Sequence, residues 1–200
     1  MQLLSPLPLP ITAHQANRSD QPHNEFNMAD SKPAPLVLVT GGTGFLAKWV
    51  LFHLLTQNSC VRTTTRTPTR TPEITSSLTE AGLTESQLSL LEFTTTDLSD
   101  DGWSAAMEDV DYVQHIASPF PSAPPKHEDE LIKPAVEGTK RVLKFAKEAG
   151  VKRVVVTSSV AAVFYGPGNK SKTRFTEEDW TDLSGGAGSL PLYPEIENAG

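Results

Sequence analysis

Hydrophobic positions in this chain fall into short blocks separated by turns bearing glycine or proline, and the blocks begin abruptly at residue 36. Leu36-Val37-Leu38-Val39-Thr40 is a continuous apolar run, the pattern of a strand buried on both faces. A glycine-rich turn follows, then a helical stretch over Phe45–Gln57. Cys60–Arg66 is β-branched and predicts a second strand. Pro72–Ala81 predicts a short helix, with Thr71 as cap and Gly82 as stop. Leu88–Thr94 reads as a third strand, Gly102–Met107 as a short helix and Asp111–Ile116 as a fourth strand. The longest helical stretch is Glu128–Ala149, with Leu131, Ile132, Ala135, Val136, Val142, Leu143 and Phe145 on its apolar side and Gly150 ending it. Val151–Thr157 predicts a fifth strand.

Strand and helix alternate throughout, which predicts an α/β fold: a doubly wound parallel sheet with helices on both faces. The alternation stops after Ser159, and residues 166–200 are rich in Gly, Pro, Ser and acids and predict no strand. Residues 1–35 hold six of the sixteen prolines and show no period, so a disordered extension is expected there, with Met28 an alternative start. The expected organisation is an extension over 1–35, a sheet domain over 36–165 and an irregular tail over 166–200.

Bulk properties narrow the function. At 38% hydrophobic and 20% charged residues the chain suits a folded globular protein. A net charge of -7 argues against nucleic acid as a partner, which needs a basic surface. No stretch is long and apolar enough to span a bilayer, so no membrane partner is expected. Pro6, Pro8 and Pro10 break the apolar start, no basic segment precedes it, and a secretory leader is not expected. The single cysteine, Cys60, allows no intrachain disulfide and fits a reducing compartment, so a cytoplasmic location is expected. No metal site is expected.

Between the first strand and the first helix lies Thr40-Gly41-Gly42-Thr43-Gly44-Phe45-Leu46-Ala47, spaced G-x-x-G-x-x-A. Gly41 permits a tight turn, Gly44 allows a pyrophosphate to approach the backbone, and Ala47 lets helix and strand pack closely. The helix start presents unpaired N–H groups and a positive dipole end to phosphates. Such glycines also suit an ordinary loop; the strand–turn–helix order is what points to a dinucleotide and to a Rossmann-type sheet.

The second strand indicates which dinucleotide. An NAD site places an acid at its end to hold the ribose 2′-OH. No acid occurs between residues 31 and 72; Arg62, Arg66 and Arg70 stand there instead. A guanidinium meets a 2′-phosphate with several donors and a permanent charge, so NADP(H) is expected, with Arg66 as first choice and Arg70 in support. A solvated basic loop is the alternative reading of the same residues.

These segments resemble the extended short-chain dehydrogenases/reductases, in the branch of dihydroflavonol reductases, cinnamoyl-CoA reductases and fungal aldehyde reductases. Val39–Ala47 resembles the opening fingerprint, and Val61-Arg-Thr-Thr-Thr-Arg-Thr-Pro68 the second strand with its NADP-selecting arginine. Asp97-Leu98, His115-Ile-Ala-Ser-Pro119, Pro134-Ala-Val-Glu-Gly-Thr139 and Val154-Val-Val-Thr-Ser-Ser-Val-Ala-Ala-Val163 are similar to later segments, in order, and the resemblance runs through about Trp180. It implies that Gly41, Gly44, Phe45, Leu46 and Ala47 cradle the pyrophosphate. Asp97 would meet the adenine amine, with Leu98 offering a backbone contact, and Ala117 and Ser118 would line the nicotinamide ribose. Ser159 would hydrogen-bond a substrate carbonyl; its choice over Ser158 rests on the resemblance alone. The implied activity is NADP(H)-dependent oxidoreduction of a carbonyl or CH-OH group on a small molecule.

The pattern breaks at the proton donor. The family uses Tyr-x-x-x-Lys, the lysine lowering a phenol pKa near 10. Tyr193 stands roughly at the expected place, but Glu197 holds the lysine position and no lysine follows Lys172. A carboxylate there raises the phenol pKa. Tyr193 is therefore catalytic by position only, or a residue of the tail. The sixth strand and the substrate lobe of the family have no counterpart in the 200 residues, so a truncated, incomplete fold with impaired activity is expected. The competing expectations are a cofactor-binding module without turnover, or a fragment without function. Substrate and oligomeric state are left open.

Overall fold

Five short strands that are all parallel must each be followed by a crossover, and the helices predicted between them supply it. The computed structural model describes residues 34–99, 102–119, 127, 129–169, 171–182 and 184. Its strands are β1 (Leu36–Val39), β2 (Cys60–Thr65), β3 (Leu91–Thr95), β4 (Tyr112–His115) and β5 (Arg153–Val156). They form one sheet in the order β3-β2-β1-β4-β5, and each neighbouring pair is parallel. The helices are α1 (Phe45–Thr56), α2 (Thr71–Glu80), α3 (Glu85–Leu88), α4 (Trp103–Ala106), α5 (Asp129–Glu148) and α6 (Ala161–Phe164).

Alternation along β1 sorts the core into two halves. Val37 and Val39 face Ala47, Leu51 and Leu55 of α1 and Ile74 and Leu78 of α2. Leu38 faces the other way, onto Trp103 and Ala106 of α4 and Val142 and Ala146 of α5. Successive side chains of a strand point to opposite faces, so one continuous apolar run serves both layers. Each fully buried leucine or valine adds roughly 1.5–3 kcal/mol. This is the doubly wound sheet the sequence predicts, and the strand order reverses between β1 and β4, where such sheets open a crevice at the strand ends.

Four elements differ from expectation. The third strand begins at Leu91, because Glu85–Leu88 forms a turn of helix capped by Thr84. Thr84 and Gln87 make a reciprocal capping box, a spacing present in the sequence. Thr71 opens α2 rather than capping it. On α5, Gly138, Val142 and Ala146 are buried, whereas Ile132, Val136 and Leu143 are exposed. Small residues at 138 and 146 bring the helix close to its neighbours, and the larger apolar side chains lie on a stripe turned away from that contact.

The fourth difference follows β5. Residues 161–182 contain α6 and a short 3-10 turn at Pro167–Asn169, held together by side chains rather than by a strand. The buried Asn169 donates through Nδ2 to the carbonyls of Val163, Tyr165 and Trp180, at 3.2, 3.0 and 2.9 Å. Asp182 accepts the Gly168 N–H, and Thr181 donates its N–H to the Ala162 carbonyl. Residues 1–33 of the extension expected over 1–35, and the last sixteen residues, Tyr193 among them, lie outside the described residues.

Candidate functional site

The glycine turn is fastened by the amides of its three glycines. Gly41 sits at φ +73°, a conformation that favours glycine. Its N–H donates to the Thr64 hydroxyl at 2.8 Å, and the Gly42 N–H to the Thr64 carbonyl at 2.9 Å. The Gly44 N–H closes the turn onto the Gly41 carbonyl at 2.9 Å. Among the described residues this leaves the amides of Thr43, Phe45, Leu46 and Ala47 without an acceptor. Gly44 caps α1 with no side-chain hydrogen bond, so the positive end of the helix is open to an anion.

Sequence reasoning missed Gly42, although it is the most confined glycine of the turn. A Cβ there would run into the Thr63 hydroxyl and come within 3.1 Å of Ile74 Cδ1. At Gly41 a Cβ would lie 3.0 Å from Ala117 Cβ, so the turn packs directly on the segment after β4. The threonines of β2 were read only as strand formers, yet Thr64 orients the turn. A hydroxyl one residue from a strand end, beside a glycine turn, is the signal that could have found it.

A cleft of 340 Å³ opens over this turn at the ends of the strands. It brings together Gly41, Gly44, Phe45, Leu46, Ala47, Arg66, Asp97, Leu98, Ala117 and Ser118. Thr64, Thr65, Thr96, Trp103 and Thr157 complete its wall. A second cavity of 510 Å³ shares Arg66, Asp97 and Leu98 and runs against α5. Asp97 Oδ1 accepts the Leu98 N–H at 2.7 Å. The Leu98 amide is thereby engaged within the chain.

The arginines separate by role. Arg66 follows the end of β2, is exposed, and has no partner among the described residues. Arg62 instead fastens β2: it pairs with Glu92 at 2.9 Å and donates to the carbonyls of Ala106 and Glu108. Arg70 lies outside the cleft wall and pairs with Glu73 at 2.9 Å. Hydrogen bonds from Arg70 and then Lys48 hold the Glu73 carboxyl below its usual range. Ser159 is also outside the cleft wall; its exposed hydroxyl accepts the Ala161 N–H at 3.2 Å and keeps its own proton to donate. Among the described residues no cluster of side chains could hold a metal ion, and no helix is long and apolar enough to cross a membrane.

Beneath the cleft, three hydrogen bonds converge on the buried Thr40 hydroxyl. It accepts the N–H groups of Ile116 and Ala117, each at 2.9 Å, and lies 3.0 Å from His115 Nδ1. With both lone pairs used, the hydroxyl proton is left to donate to Nδ1, so the imidazole carries its proton on Nε2. Burial pushes the His115 pKa below the ordinary value. The unfolded chain takes up this proton as pH falls through about 6.5, while the folded chain resists it to lower pH. Stability is therefore complete above that value and declines below it. Urea unfolding between pH 7.5 and 5 is expected to show this decline, and His115→Asn, which keeps an acceptor but cannot titrate, to reduce it. An unchanged slope in the variant would assign the effect to other groups.

A family model, NAD dependent epimerase/dehydratase, matches residues 37–184. A putative anthocyanidin reductase of Ginkgo biloba is 37% identical over 150 residues, covering 74% of this chain and 43% of that protein. Cinnamoyl-CoA reductase 1 of Arabidopsis thaliana is 36% identical, covering 74% and 40%. Among solved structures, vestitone reductase from alfalfa superposes with a TM-score of 0.59 at 33% identity, covering 74% of this chain and 43% of that one. Yeast methylglyoxal/isovaleraldehyde reductase complexed with NADPH gives 0.60 at 29%, covering 73% and 44%. The chain thus spans about two fifths of the length of the curated relatives it matches.

Proposed function

Since this chain belongs to the NAD dependent epimerase/dehydratase family, beside the anthocyanidin and cinnamoyl-CoA reductases of the extended short-chain dehydrogenases/reductases, we propose that its cleft holds NADP(H) in the service of a carbonyl or alcohol oxidoreductase. One observation carries the reading: four unpartnered amides at an uncapped helix start share a cleft with an exposed arginine and an aspartate. The amides of Thr43, Phe45, Leu46 and Ala47 would hold the pyrophosphate, and Arg66 the 2′-phosphate. Asp97 would meet the adenine amine, and Ala117 and Ser118 the nicotinamide ribose. The close fit of Gly41 against Ala117 keeps side-chain bulk out of that space.

A bound nicotinamide supplies the hydride; the chain's own task is to orient and to move a proton. Ser159 has a hydroxyl proton to offer a substrate carbonyl. Tyr193 would be the proton donor by sequence position only, with Glu197 standing where the family has its lysine. The yeast neighbour is a methylglyoxal/isovaleraldehyde reductase, so small aldehydes are the first substrates to try. A second reading, a cofactor-binding module without turnover, is favoured by the glutamate that stands four residues after Tyr193.

Both readings are tested with the purified 200-residue chain. NADPH and NADH are titrated and followed by nicotinamide fluorescence, and NADPH consumption is followed over a panel of aromatic and aliphatic aldehydes and ketones. Binding with turnover supports the enzyme, and binding without it the module. Failure to bind either nucleotide rejects both.

A further inference from the structure

The segment after β3 has little to fix it from the sheet. Its last tie to a strand is the Thr96 N–H on the Thr65 carbonyl, at 3.0 Å. Asp97 and Leu98 come next, in the wall shared by the two cavities. Both of their carbonyls are instead held from elsewhere in the chain. The Trp103 indole N–H donates to the Asp97 carbonyl at 2.9 Å. From α5, Arg141 Nη1 donates to the Leu98 carbonyl at 2.6 Å, a partly buried contact 43 residues away in sequence. One turn earlier on α5, Gly138 meets the Leu98 side chain: a Cβ there would lie 3.0 Å from Leu98 Cβ.

We propose that Arg141 is a positioning residue for the adenine side of the cleft, holding the Asp97–Leu98 segment against α5 where Gly138 leaves room for it. The inference rests on the dinucleotide reading above. An ionised donor makes the stronger class of hydrogen bond, and its planar guanidinium loses less freedom on bonding than an ammonium does. Arg141 also lines the second cavity together with Arg66, so fixing the wall must be distinguished from touching the 2′-phosphate directly. Its bond to the Leu98 carbonyl favours the first. A wall-fixing residue affects every adenine dinucleotide alike, whereas a phosphate ligand affects only the phosphorylated one.

The test compares NADPH and NADH on the full chain. Arg141→Met, which keeps the apolar stem and removes the donors, is expected to weaken both by the same factor, roughly tenfold, or about 1.4 kcal/mol. Arg141→Lys is expected to recover part of that loss for both. Loss confined to NADPH would overturn the positioning role, and so would unchanged affinity in a variant that still unfolds cooperatively. Should Arg141→Met not fold, Gly138→Ala decides, because alanine favours the helix while its methyl displaces Leu98. Equal weakening of both nucleotides then supports the proposal, and unchanged binding overturns it. A wild-type chain that binds neither nucleotide rejects the functional reading and this inference together; binding by wild type with unaffected variants rejects the inference alone.

Discussion

Arg66→Asp is expected to weaken NADPH binding by about a hundredfold while changing NADH by less than about threefold, since hydrogen bonds to charged groups contribute roughly 1.5–3 kcal/mol and reversal adds repulsion. The geometry explains the selectivity. Arg66 follows the end of β2, opens onto both cavities and is exposed. Arg62, four residues earlier on the strand, is committed to Glu92 and two carbonyls, and Arg70 to Glu73. Substituting Arg70 should matter less, because its guanidinium must first leave a carboxylate. The aspartate at 66 also supplies the acceptor that an NAD site uses for the ribose 2′-OH, which limits any loss for NADH. Fluorescence titration of the variant with the two nucleotides measures the ratio. Equal losses would place the 2′-phosphate somewhere other than the end of β2.

Thr40→Val should lower stability by about 3 kcal/mol, because a buried polar group left unsatisfied costs roughly 1–3 kcal/mol. The substitution keeps the side-chain shape and removes only the oxygen. Three groups then lose their partner: the amides of Ile116 and Ala117, and His115 Nδ1. Ile116 and Ala117 are only half-buried, so water can serve them in part and the costs do not simply add. For a chain of this length the loss corresponds to a fall in Tm of roughly 6–12 °C. Thr40→Ser keeps the hydroxyl and is expected to recover most of the stability. Calorimetry on the three chains checks both statements, and a Thr40→Val chain as stable as wild type would show that the convergent hydrogen bonds contribute nothing net. Nucleotide affinity should fall as well, since Ala117 forms the cleft wall and packs on Gly41.

Much of the site was legible because the chemistry is local. The strand–turn–helix order placed the glycine turn at the cleft, and the lack of an acid after β2 pointed to Arg66, which lines it. Ten of the predicted cofactor residues do share one cleft. Arg70, expected as a supporting ligand, lies outside the cleft wall and pairs with Glu73. Its pairing with Glu73 arises from an i,i+3 relation that forms only once Pro68–Arg70 turns into α2. After Ser159 no strand was expected, and among the described residues none follows β5. The order of that segment comes from Asn169 and Asp182 bonding backbone groups, which leaves no hydrophobic period to read.

By itself, then, the sequence determined the alternation of strand and helix, the two-faced burial of β1 and the place of the glycine turn, because each depends on neighbours a few residues apart. Only the tertiary structure decided how the turn is held. Thr40 reaches residues about 75 positions away, Gly42 fits under Thr63 and Ile74, and Arg141 grips Leu98 across 43 residues. Such contacts join side chains whose separation along the chain carries no periodic signal, so they exist only after the strands have set their order.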